Sequence, residues 1–82
     1  SGERSPEGVR AAVEFELAMN KVEQVSSETR GTITALRQDI NTLATSLGVS
    51  SASLAETAIT LKQAGLSVNQ TRDALKALAL TD

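Results

Sequence analysis

Cysteine, histidine, tryptophan and tyrosine are absent from this 82-residue chain, and Phe15 is its only aromatic residue. The first two absences exclude disulfides, most zinc and haem sites, and every catalytic arrangement that turns on a thiolate or an imidazole. An excess of basic charge is lacking as well. Eight Lys and Arg residues against ten Asp and Glu leave a net charge of −2, which offers no basic footprint for nucleic acid or anionic lipid. No apolar run approaches the ~20 residues that span a bilayer, and no signal-peptide pattern is present. Carboxylates that could act as acid and base do not converge: Glu14 and Glu16 stand two apart on a helix, while Asp39, Glu56 and Asp73 read as isolated, solvated surface charges. Gly31, Gly48 and Gly65 form no phosphate-binding loop, because no Gly-rich cluster follows a strand. The chain is therefore not expected to be an enzyme, and no catalytic residue, cofactor, metal site, specific nucleic acid or membrane contact is expected of it.

What is present is an aliphatic core of Leu, Ile, Val, Ala and Met19. Helices packed on helices suit it better than a sandwich, since strands favour aromatic and β-branched side chains. The expectation is an all-α fold of four helices. Residues 1–8, SGERSPEG, carry Pro6 and Gly8 and read as a flexible N-terminal segment, with a helical domain over 9–82. The end at Asp82 directly after an apolar helical run predicts a fragment of a longer protein.

The first helix is predicted over about 8–25, with Val9, Ala12, Val13, Phe15, Ala18, Met19, Val22 and Val25 on one face and Leu17 slightly off it. VSSETRG then breaks the pattern. Ser26 or Ser27 is a natural N-cap and Glu28 suits a first turn. Whether helices one and two are continuous stays open at this point. Helix two, about 28–47, repeats Ile33, Leu36, Ile40, Leu43 and Leu47 as a heptad seam, against which Phe15 and Met19 are expected to pack. Its end is Gly48, the residue type that enters left-handed geometry at least cost.

Helix three starts from a Ser50 cap, with Val49 and Leu54 spaced as a hydrophobic staple, and its face reads Leu54, Ala58, Leu61 and Ala64. Gly65 closes it. Ser67 with Gln70 is a capping box for helix four, whose face is Val68, Thr71, Leu75 and Leu78, with Leu66 apolar in the corner before it. LGVS at 47–50 and AGLS at 64–67 are thus one device used twice, and the helices should form consecutive hairpin-like corners at Gly48 and Gly65.

Residues 31–82 hold thirteen Ser or Thr residues and few charges, an unusual way to solvate helices. One explanation is a bundle held by tertiary contacts; the other is that much of this surface faces protein. The seam of helix two and the low charge repulsion predict a homo-oligomer. A helix-turn-helix DNA-binding or adaptor module is the competing reading, since Ala44, Gly48 and Leu54 have the spacing of such a hairpin. The would-be reading helix, however, presents Glu56 and only Lys62 to phosphate, and position 57 is Thr where that pattern is normally apolar. A bare coiled coil fits poorly, because two Gly corners do not make a long rod.

The order of these elements resembles the N-terminal core region of phage tail tape-measure proteins. Phe15, Glu16, Met19 and Val22 match its opening helix; Ser50, Leu54, Ala55, Glu56 and Ala58 match a Ser-x-x-x-Leu-Ala-Glu-x-Ala helix; Leu61, Gln63, Ala64, Gly65, Leu66 and Ser67 match the corner that follows. Gly48 and Val49 depart from the family, which often places Thr or Pro and an aromatic residue before the third helix. The resemblance implies a structural protein of a phage or prophage tail that sets tail length and assists assembly and DNA ejection. It also implies partners among tail tube, hub or assembly chaperone proteins, and a location in the virion tail or, during assembly, in the bacterial host cytoplasm.

Overall fold

The computed structural model describes residues 6–26 and 28–80, and over them the fold is all-α: α1 Pro6–Gln24, α2 Arg30–Leu47, α3 Ser51–Gln63 and α4 Val68–Leu80. Residues 1–5 of the expected flexible segment, and the candidate cap Ser27, lie outside the described residues. Pro6 opens α1, so helix begins inside the segment expected to be flexible. Its fixed φ and missing N–H cost nothing in a first helical turn, where that N–H would have no intrahelical acceptor.

Helices one and two are not continuous. The chain leaves α1 at Val25, whose N–H still bonds the Lys21 carbonyl at 3.0 Å, and re-enters helix at Arg30. The cap is Thr29, extended at φ −70° and ψ 158°, with its Oγ1 accepting the Thr32 N–H at 3.3 Å. Neither Ser26 nor the first-turn position expected for Glu28 is used. Ser26 Oγ instead accepts the Glu28 N–H at 3.1 Å and shapes the loop.

Packing runs between alternate helices. α1 lies chiefly on α3 and α2 chiefly on α4, while α1 and α2 touch over a short stretch. Ala11 and Ala12 share a groove with Ser50 and Ser51, and Leu17 and Ala18 share one with Glu56 and Ile59, so α1 and α3 run in the same direction. Asp39 faces Arg72 and Lys76, and Leu47 lies near Leu78, so α2 and α4 do likewise. The extents are 43 × 30 × 19 Å, and the thinnest spans only two helix diameters. A body this thin has one shared seam for a core.

That seam contains Phe15, Met19 and Val22 of α1, Ile33, Leu36 and Ile40 of α2, and Val68 and Leu75 of α4. Four expectations about it need correction. In α2 the buried stripe passes to Ala44, leaving Leu43 half-buried and Leu47 42% exposed, because a straight helix drifts ~20° per heptad from a 3.5-residue repeat. In α3 the buried face is Ala52, Ala55 and Ala58, with Leu54 and Leu61 half-buried beside it and Ala64 exposed. Small side chains let a neighbouring helix approach closely, so the alanines take the centre and the leucines wall the contact. In α1, Val9 and Ala12 are exposed where α3 has only begun, beside Ala11 and Ala12; Val13 stands about 160° round the helix from Phe15, and Val25 is exposed beyond the helix end. Phe15 belongs to the same buried cluster as Ile33, Leu36 and Ile40, as expected, and the Arg37 guanidinium of α2 also lies 5.4 Å from its ring centroid. In α4, Leu78 is 59% exposed, whereas Val68, Thr71 and Leu75 are buried as the spacing predicts.

Candidate functional site

The corner and capping residues singled out from the sequence fall into two clusters, one at each Gly corner, and most of the packing residues lie in the seam between the helices. At the first, Gly48 adopts φ 71° and ψ 27°, and the Gly48 and Val49 N–H groups both reach the Ala44 carbonyl, at 2.9 and 3.1 Å. Ser50 then caps α3, its Oγ accepting the Ser53 N–H at 3.0 Å. At the second, Gly65 takes φ 104°, its N–H donates to the Lys62 carbonyl at 3.0 Å, and the Leu66 N–H donates to Leu61 at 3.2 Å. Both are Schellman-type endings, in which a left-handed glycine turns two amides back onto orphan carbonyls of the last helical turn.

The start of α4 is tied further. Ser67 Oγ accepts the Gln70 N–H at 3.1 Å and Gln70 Oε1 accepts the Ser67 N–H at 2.9 Å, which completes the capping box. Glu28 Oε1, from the loop before α2, accepts the Val68 N–H at 3.3 Å. A carboxylate here satisfies an orphan donor and complements the positive end of the helix dipole. Nothing in the local sequence around Glu28 signals a partner so far along the chain, which is why the sequence reading missed it.

Asp39 is not the isolated charge it resembles in the sequence. Its Oδ2 accepts from Arg72 Nε at 2.6 Å and lies 3.5 Å from Lys76 Nζ, joining α2 to α4. The hydrogen bond to Asp39 holds the Arg72 guanidinium pKa above its already high ordinary value, against a smaller opposing effect of burial. A second cross-helix pair joins Arg37 of α2 to Glu16 of α1 at 2.5 Å.

Part of the Ser and Thr content has a local explanation. Thr45, Thr57, Thr60 and Thr71 each donate their hydroxyl to the carbonyl four residues earlier, at 3.0, 3.2, 3.2 and 2.8 Å. Such side chains satisfy themselves on their own helix. Thr71 can therefore be fully buried without a tertiary partner for its hydroxyl.

The outer face of α3 carries Ser53, Glu56 and Thr60, and Lys62 at its end is half-buried. Among the described residues no group of three or more carboxylate, His or Cys side chains could hold a metal ion, and no helix is long and apolar enough to cross a membrane. An open apolar groove lies beside the first corner, walled by Leu47, Val49, Leu54, Thr57, Leu78 and Ala79. Val49 and Leu54, expected as a staple across the Ser50 cap, both belong to that wall. Comparison of the chain with protein families, with curated proteins and with solved structures gives no match in any of the three.

Proposed function

We propose that this chain is a structural segment of a phage or prophage tail tape-measure protein, which sets tail length and assists tail assembly and DNA ejection. The observation that carries this reading is that the second and third resembling stretches form one continuous unit. Leu54, Ala55, Glu56 and Ala58 lie on α3, and Leu61 to Ser67 make the Gly65 corner that launches α4. The surface is compatible with the role. A protein enclosed in a lumen that DNA later crosses should bind neither DNA nor the wall tightly, and a net charge of −2 with Phe15 buried as the only aromatic provides neither a phosphate-binding patch nor an aromatic anchor. Its partners would be tail tube, hub or chaperone proteins, first in the host cytoplasm and then in the virion.

The test is deletion of residues 54–80 from the phage. Because the corners fold the chain back on itself, the deletion removes an assembly element, and few or no tails should form. Abundant tails uniformly shorter by about 40 Å, at ~1.5 Å rise per residue, would indicate an extended ruler, and unchanged tails would remove the proposal. The helix-turn-helix reading is weaker, because the outer face of α3 offers Glu56 to a phosphate backbone. Titration with duplex DNA at low salt should show no binding; saturable binding there would favour that reading instead.

A further inference from the structure

The sequence points to α2 as the surface through which copies associate, but the structure closes that route. Ile33, Leu36 and Ile40 are 4%, 0% and 0% exposed, consumed inside one chain. The apolar surface left over lies elsewhere, at the groove beside the Gly48 corner and the end of α4. We propose that this groove is a self-association surface, occupied by the same groove region of a second copy of this chain about a two-fold axis.

Three observations favour this occupant. A two-fold interface must be self-complementary, with both the hollow and the residue that fills it on the same patch. Here Leu78 stands 59% exposed at the rim of a hollow lined by Leu54 and Thr57, so a leucine from each copy can enter the hollow of the other. Second, two identical patches repel if either carries net charge, and no charged side chain lines this groove. Third, three large aliphatic side chains on this one patch stay in solvent: Leu47, Val49 and Leu78 are 42%, 47% and 59% exposed.

The exposed ridge of Val9, Val13 and Leu17 on α1 is the rival surface. It is flanked by Arg10, Glu14 and Lys21, and seating it in the groove of another copy would be a head-to-tail contact that does not close. The inference stands on the surface alone and does not depend on the tail reading.

Sedimentation velocity of the 82-residue chain from ~10 µM to ~1 mM tests it. A monomer–dimer equilibrium that stops at the dimer is expected. Leu78→Glu and Val49→Glu should each weaken it at least tenfold with helix content unchanged by circular dichroism, while Leu17→Glu should leave it intact. A monomer at every concentration would overturn the proposal. So would association that continues past the dimer, or loss of the dimer with Leu17→Glu and not with the groove variants.

Discussion

The two glycine corners are written in nearly the same letters, LGVS and AGLS, yet they do different things in the fold. Each ends a helix by turning amides back on its last carbonyls and starts the next from a serine cap. At Gly65 the tie extends further, to the reciprocal Gln70 bond and to Glu28 from a distant loop, and it leads directly into buried Val68 and Thr71. At Gly48, Val49 and Ser50 are exposed, Ser53 returns no second bond to the cap, and the corner borders an open apolar groove. A local code specifies that a chain turns; the residues that meet the turn from elsewhere decide whether it locks the fold or presents a surface.

Breaking the left-handed glycines should separate the corners most. A Cβ at either position meets nothing within 4 Å, so the cost is backbone strain alone. Gly65 at φ 104° lies well outside the left-handed region open to other residues, whereas Gly48 at φ 71° lies near its edge. Gly65→Val should cost about 2 kcal/mol and Gly48→Val about 1 kcal/mol. In a domain this small the first should lower Tm by about 8–16 °C. Equal shifts in a thermal melt would remove the distinction.

Next come the caps. Ser67→Ala and Ser50→Ala should each cost about 1 kcal/mol, through loss of the hydroxyl that accepts the Gln70 or the Ser53 N–H, while the bond from the Ser67 backbone N–H to Gln70 Oε1 survives the first substitution. Urea unfolding midpoints at constant m-value would check this. Glu28→Ala should cost about 1 kcal/mol through one lost bond to a helix N-terminus forty positions away, with little change at the first corner. A Glu28 variant as stable as the parent would make that bond incidental. The smallest effect is of opposite sign. Gly31 has no positive φ and open space around it, so Gly31→Ala in the first turn of α2 should raise stability by about 0.5 kcal/mol.

The corners were legible in the sequence because glycine, serine and glutamine act there through bonds to their own neighbours. The helix spans were legible for the same reason, to within a few residues at each end. What could not be read was which side of α3 would be buried. Leu54 and Leu61 outweigh Ala52 and Ala55 on any hydrophobic scale, but close approach of α1 favours the small residues. The cap at Thr29 was hidden behind two earlier serines, each an equally good acceptor. Glu28 and Asp39 act across helices, and spacing along a chain carries no record of such contacts. The groove was invisible for a related reason: Leu47 and Leu78 belong to apolar stripes, and only the drift of α2 and the end of the packing on α4 leave them exposed.

One measurement reads both corners at once: amide hydrogen exchange at ~20 µM and again at ~1 mM, where a weak dimer would be populated. At the lower concentration, the amides of Leu66, Gln70 and Thr71 should exchange near the rate of global unfolding, and those of Val49, Ser53 and Leu54 distinctly faster. At the higher concentration, only the second group should slow. Exchange at the two corners that is equal at low concentration, or slowing confined to the Gly65 corner at high concentration, would contradict the assignment of one as lock and the other as contact surface.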